Sequence, residues 1–310
     1  MTYIFLDEIQ NCKNFEKMVD SLFIQPNVDI YITGSNAYFM SGELAILLSG
    51  RYVELKMLPL SFKEYVSGVN NSKSIVAKYN DYITFSSFPY TIWYKDDLKA
   101  AQDYLRCIYS TILLKDVVQR YKITDVMMLE SVASFIFDNI GNRLSVNNIS
   151  NILTANGRTT NDKYLQALIN SLIIYQVKRY NIKGRQLLKT QAKYYIADLG
   201  LRYLICGIKG KDEGHILENV IYLELLRRGY NVYIGQNEEN EIDFVASTHE
   251  DTIFIQVSLS LRDSNTYERE IAPLKALNNS YSKIILTMDE APVKDDNGIK
   301  IIYAFDWLLN

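Results

Sequence analysis

The apolar and polar positions of the first sixty residues alternate between two periods. In YIFLDEI an apolar run ends in paired acids, which predicts a buried strand. NFEKMVDSLFI places Phe15, Met18, Val19 and Leu22 at the spacing of an amphipathic helix. VDIYITGSN is a second apolar run, closed by a Gly-Ser-Asn turn. GELAILLSG reads as a short helix ending at Gly50, and RYVELKMLPL as a third strand stopped by Pro59. Strand, helix, strand, helix, strand is the order of a parallel sheet covered by helices. The fold class expected is α/β.

Further on the pattern turns helical, in DDLKAAQDYLRCIYSTILLKDVVQRY and MLESVASFIFDNIG. From Leu144 it changes again. SVNNISNILTA predicts a helix capped by Ser145, and TTNDKYLQALINSLIIYQV a second one capped near Thr159 or Thr160. KRYNI and LLKTQAKYYIAD flank the turn KGR as a hairpin. Helix, helix, hairpin is the plan of a winged helix. The last hundred residues predict a helix (HILENVIYLELLRRG), three strands, a helix and two strands. There is no internal repeat.

Composition narrows the function classes. A chain of 310 residues has room for two or three domains. Its net charge of −3 makes any nucleic-acid surface a local one. The three cysteines, Cys12, Cys107 and Cys206, are far apart and fit a reducing compartment, with neither a disulfide framework nor a zinc site. No apolar run reaches membrane-spanning length, and Asp7 and Glu8 interrupt the N-terminal one. The expectation is a cytoplasmic protein with no membrane partner. Two histidines leave little scope for histidine triads or multi-histidine metal sites.

The acidic end of the first strand carries candidate chemistry. A nucleotide hydrolase needs Mg²⁺ at the terminal phosphates and a group that orients water. Asp7 suits the metal, when nucleotide is bound, and Glu8 the water. Ser35 or Asn36 at the end of the second strand is placed to sense a phosphate, and Arg51 to add positive charge. The Gly-x-x-x-x-Gly-Lys-[Ser/Thr] loop is absent from these residues, since Gly210-Lys211 is followed by Asp212. Three charge-assisted hydrogen bonds lost with that loop cost about 5–9 kcal/mol, or about three to six decades of affinity. These residues are therefore expected to hold ATP poorly.

YIFLDEIQ, ITGSNA, LSGRYVELKMLPLSFKEY, KYYIADLGLR and LENVIYLELLRRGYNVYIG with EIDFVA together resemble the prokaryotic AAA-type ATPases whose C-terminal half carries a domain of unknown function. The resemblance covers nearly the whole chain. It implies a P-loop ATPase module, a winged helix and a C-terminal module similar to PD-(D/E)XK nucleases, with ATP and Mg²⁺ as cofactors of the full-length family. The family has a Walker A segment that is missing here, so the chain looks like a truncated product without a cofactor of its own. SSFP at Ser86–Pro89 stands where the family tends to have Gly-Gly-Phe-Pro. The domains expected are a P-loop remnant over 1–65, a helical connector over 66–140, a winged helix over 141–200 and a nuclease-like domain over 201–310. Without the strand that leads into the P-loop, the N-terminal strands are expected to re-pair, to dimerise or to be poorly ordered.

Two further sites follow. Between Asp162 and Asp198 there is no acid, and Lys163, Lys178, Arg179, Lys183, Arg185, Lys189 and Lys193 give a local charge of +7. The last six are candidates for phosphate contact from the hairpin. The alternative is a winged helix that only packs internally. In the C-terminal block the resemblance places carboxylates at Glu218 and Asp243. Its Glu-x-Lys element is replaced by Gln256-Val257-Ser258, a neutral pair, so the nuclease-like site is degenerate. The expected function is a non-catalytic interaction module of an AAA-type family, with DNA, another protein or a second copy of the chain as partner. The alternatives are a working ATPase at full length and a metal-dependent nuclease.

Overall fold

The computed structural model describes residues 1–34, 50–94, 96–145, 147–149, 157–207, 212–238, 240–278, 280–292 and 295–310. Strands β1 (Thr2–Leu6) and β2 (Val28–Ile32) pair in parallel, Thr2 opposite Val28 through Leu6 opposite Ile32. Helix α1 (Phe15–Phe23) joins them, as the periodicity predicts. Strand alternation sends Ile4, Leu6, Ile30 and Ile32 to one face. There Leu6 and Ile32 pack against Ile9, Phe15 and Val19. Tyr3, Phe5 and Tyr31 point the other way. Phe5 is 73% exposed and stacks on Tyr31 at 4.9 Å. The apolar runs by themselves predict buried strands. Among the described residues α1 is their only cover, and one helix covers one face.

The third strand expected over 51–60 is not formed. Val53, Leu55 and Met57 keep a strand's alternation but are exposed in an irregular segment. A strand is completed by a neighbour's backbone groups, and no described residue supplies them. The helix expected over 42–50 and the candidates Ser35 and Asn36 lie outside the described residues.

Helix α2 (Phe62–Gly68) starts at a capping box. Ser61 Oγ accepts the Glu64 N–H at 3.0 Å, and the Glu64 carboxylate accepts the Ser61 N–H at 2.7 Å. Helices α3 (Ile75–Phe85), α4 (Leu98–Thr111) and α5 (Val126–Asp138) follow, α4 running on as a π-helix over Ile112–Gln119. After the short strand β3 (Arg143–Leu144) come helix α6 (Gly157–Asn170) and a hairpin of β4 (Ile174–Asn181) and β5 (Gln186–Ile196). The helix expected over 145–155 lies largely outside the described residues.

The C-terminal part runs α7 (Leu199–Cys206), α8 (Glu213–Arg227), β6 (Asn231–Asn237), β7 (Asn240–Ser247) and β8 (Thr252–Ser258). Then come α9 (Ser264–Lys275), β9 (Ser282–Thr287), β10 (Asp295–Asp296), β11 (Ile299–Tyr303) and α10 (Ala304–Leu309). Among the described residues nine strands form one sheet in the order β10-β11-β9-β8-β7-β6-β4-β5-β3. The hairpin joins it because β4 pairs in parallel with β6 over Arg179–Asn181. Helix α8 touches β5, β6, β7 and β8, and its residues Leu217–Leu225 are all buried. A helix buried around most of its circumference lies inside the molecule. Its side chains therefore meet both the hairpin and the C-terminal strands.

Candidate functional site

Under α8 the sheet carries a group of buried charges. Glu218, on α8, is 7% exposed, as is Asp243 on β7. Between them lies Lys193 of β5, itself buried. Its Nζ stands 3.2 Å from Glu218 Oε2, 3.1 Å from Glu241 Oε1 and 3.4 Å from Asp243 Oδ1. Tyr195, two residues on and on the same strand face, donates its hydroxyl to Glu218 at 2.9 Å. Asp243 Oδ2 accepts the Val257 N–H at 2.9 Å, and Arg143 pairs with the second oxygen of Glu241.

Electrostatics follow from burial and spacing. Burial pushes the Glu218 carboxyl up to about 7, helped by Asp243 and opposed by Lys193 and Tyr195. Asp243 also moves up, through burial. Burial pulls the Lys193 ammonium down, but Glu218, Asp243 and Glu241 outweigh it and hold it well above the usual lysine range. Tyr195 is raised by burial and by the same carboxylates. Lys193 therefore stays charged, and protons taken up near neutrality go to Glu218.

Lys193 corrects the surface reading of the hairpin, because it is an internal counterion rather than a phosphate contact. Of the other hairpin candidates, Lys178, Lys183 and Arg185 are exposed, with Lys183 paired to Glu238 at 2.5 Å. Arg179 is half-buried and donates to Gln236 at 2.5 Å. The Lys189 side chain lies outside the described residues.

Gln256 and Ser258 do not form a pair at the acids. Gln256 Oε1 accepts the Asp243 N–H at 3.3 Å, and its Nε2 donates to Glu270 of α9 at 2.7 Å. Ser258 Oγ turns to the Ser260 carbonyl at 3.1 Å. His215 lies one turn before Glu218. Its imidazole packs on Gly141, whose φ is +73° and where a Cβ would come within 2.8 Å of the ring. Burial, then Lys193, hold this imidazole below its usual value.

Lys193, Tyr195, Glu241 and Glu270 escaped the sequence reading as parts of this site. Period two was the available signal, since Glu241-x-Asp243 and Lys193-x-Tyr195 each put both members on one face. Pairing the two strands needed the sheet. The carboxylates fit a divalent metal poorly, because the ammonium stands at their common centre. Among the described residues no group of three or more histidine, cysteine or acidic side chains could hold a metal ion.

At the N-terminal strands Asp7 accepts a hydrogen bond from the Thr33 hydroxyl. The Glu8 N–H donates to the Thr33 hydroxyl oxygen at 3.1 Å. Thr33, which the sequence reading passed over, is the polar group that β2 brings to Asp7. The strand pair thus brings a carboxylate, a hydroxyl and a backbone N–H together at one end, and no phosphate cradle lies beside them among the described residues. Arg51 pairs with Asp20 at 2.9 Å and lies over Phe23.

The strand pair and its acidic end mark the start of the chain as part of an AAA-type α/β protein, and residues 1–66 match the profile of the AAA domain. Residues 76–212 match a domain of unknown function (DUF8612). An uncharacterized protein of Haemophilus influenzae is 40% identical over 314 residues, covering 99% of this chain and 77% of that protein. The uncharacterized protein MJ1544 of Methanocaldococcus jannaschii is 30% identical over 335 residues, covering 99% of this chain and 74% of that protein. The chain belongs to one family with these uncharacterized proteins, and its own first 66 residues carry the AAA domain match. No solved structure matches it. Among the described residues no helix is long and apolar enough to cross a membrane.

Proposed function

We propose that this chain is a non-catalytic interaction module of its AAA-domain family, whose C-terminal half is a nuclease-like scaffold with a charge-closed acidic centre. The observation that carries the reading is Lys193 Nζ within 3.4 Å of Glu218, Glu241 and Asp243. Three acids and one ammonium in a buried place favour a resident cation over an exchangeable one. Expelling Lys193 would leave the ammonium to find new partners, and breaking such a pair costs about 3–5 kcal/mol. The neutral Gln256 and the averted Ser258 add neither a ligand charge nor a lysine. Contact with a partner falls to the exposed surface, including Lys178, Lys183 and Arg185 at the hairpin. At the N-terminal strands, the Thr33 hydroxyl between Asp7 and the Glu8 N–H supports a reading of that end as the acid side of a nucleotide site.

The test is incubation of the protein with plasmid and oligonucleotide under a magnesium and manganese titration. The expected result is intact nucleic acid at every metal concentration. Cleavage that disappears in Asp243→Ala overturns the reading in favour of a nuclease. Micromolar, stoichiometric uptake of Mg-ATP by the same 310 residues, measured by calorimetry, overturns the N-terminal half of it.

A further inference from the structure

Five short stretches that belong to neither site meet at one place. They are Pro59–Ser61, Ser86–Ser87, Asp198–Gly200, Arg227–Arg228 and Trp307. Arg227 Nη2 donates to the Pro59 carbonyl at 2.5 Å. The Leu60 N–H donates to the Ser87 carbonyl at 2.8 Å, and the Tyr82 hydroxyl to the Leu60 carbonyl at 2.9 Å. Ser86 Oγ, Ser87 N–H and Ser87 Oγ converge on Asp198 Oδ2 at 2.9, 2.6 and 2.6 Å. The other Asp198 oxygen caps α7 through the Leu201 N–H at 2.9 Å. Gly200 lies so close that a Cβ would come within 2.7 Å of Ser86. Arg228 stacks over the Trp307 ring at 4.0 Å and donates to the Trp307 carbonyl at 2.6 Å.

Two arms lead from this joint to the acid and lysine centre. One is α8, where Arg227 stands nine residues after Glu218, about 13 Å along the axis. The other is β5, where Lys193 and Tyr195 precede Asp198 by five and three residues. The arms are tied to each other beside the centre, one residue from Glu218 and one from Tyr195. Asn219 Oδ1 accepts the Ile196 N–H, and Asn219 Nδ2 donates to the Ile196 carbonyl, each at 2.9 Å.

We propose that this joint positions the acid and lysine centre, so that the seating of residues 59–61, inside the AAA domain match, sets the register of both its walls. Ser86, Ser87 and Asp198 form a buried, satisfied polar network with one good arrangement, and the half-buried Arg227 joins it to α8 through the Pro59 carbonyl, so a change at one member is passed on rather than absorbed. Arg227, Ser87 and Asp198 are positioning residues acting through α8 and β5. They link the N-terminal part of the chain to the C-terminal site. The proposal rests on the reading of that centre as the operative site of the C-terminal half.

The experiment follows the Glu218 carboxyl by carbon-13 NMR of glutamate-labelled full-length protein through a pH titration, with amide hydrogen exchange at 193–196 and 218–222. Burial, Asp243, Lys193 and Tyr195 set the midpoint, and Glu241 and His215 are the other titratable groups beside Lys193. Arg227→Ala and Ser87→Ala should each move it by about 0.5 pH unit or more, about threefold in proton affinity. Each should also speed exchange at 193–196 while leaving β9 and β11 protected. Arg106→Ala, which breaks the surface pair with Asp103, should do neither. Should Arg227→Ala not fold, Ser87→Ala and Arg227→Lys are read in the same way. A loosened 59–62 segment with midpoint and exchange at the centre unchanged overturns the proposal. Metal-dependent cleavage by the wild type would overturn the function reading instead and leave this comparison standing.

Discussion

Lys193→Met tests the charge logic of the site most directly. Methionine keeps roughly the length and apolar stem of lysine and removes the ammonium. Glu218 and Asp243, both about nine-tenths buried, then lose their nearest cation, and Glu241 keeps Arg143. Removing one partner of a buried ion pair costs about 3–5 kcal/mol. That cost depends on pH, because a carboxyl can take a proton instead. In the wild type the folded Glu218 titrates at about 7 against an ordinary 4.5. The folded state therefore binds more protons than the unfolded chain across that window. Stability falls as pH rises from about 4.5 to about 7, by on the order of 3 kcal/mol. Without Lys193 the carboxyl moves further up, and the window extends to higher pH. Urea unfolding followed by circular dichroism should show Lys193→Met destabilised by about 3–5 kcal/mol at pH 8 and by no more than about 2 kcal/mol at pH 5. Adding Glu218→Gln should recover much of the loss at pH 8. An equal loss at both pH values, with no recovery in the double variant, would mean that Lys193 acts by packing alone.

The remaining predictions concern the frame of the site. Gly141→Ala must hold φ near +73° and meet the His215 ring within 2.8 Å. A loss of about 1–3 kcal/mol in the urea midpoint is expected, and a neutral result would contradict the close contact. Asp198→Ala orphans the donors of Ser86, Ser87 and Leu201 and should cost about 3 kcal/mol or more, read as a drop in the thermal midpoint. If the hairpin touches phosphates, replacing Lys178 and Arg185 with alanine lowers the slope of log affinity against log salt by about 2 for duplex DNA. An unchanged slope removes that contact.

Much of the fold is legible in the amino-acid order. The strand, helix, strand start, the presence of a hairpin around the KGR turn and the C-terminal order α8, β6, β7, β8, α9, β9, β11 follow from local periodicity. So does the capping box at Ser61 and Glu64, which needs only residues three apart. Ile174–Val177, expected in the helix before the hairpin, are instead the first half of β4. The third strand over 51–60 shows where local pattern stops. Val53, Leu55 and Met57 alternate as a strand does, yet a strand exists only when another backbone accepts its hydrogen bonds. Thr33 illustrates the same limit at the acidic end. The turn after β2 drew attention to Ser35 and Asn36, while the parallel register of β1 and β2 places Thr33 against Asp7.

By itself the sequence pointed to Glu218, Asp243, Gln256 and Ser258 as positions of interest and to a cluster of positive charge around a hairpin. Only the tertiary structure decided that one of those positive charges faces inward. Lys193 is 25 residues from Glu218 and 50 from Asp243 in the chain, and about 3 Å from both in space. No local rule spans that separation. The parallel pairing of β4 with β6 carries the hairpin into the C-terminal sheet, and α8, packed on β5, β6, β7 and β8, brings Glu218 to the ammonium and the acids of β7. The physical reason is desolvation, since once α8 covers these charges, each must find a partner within the same dry volume.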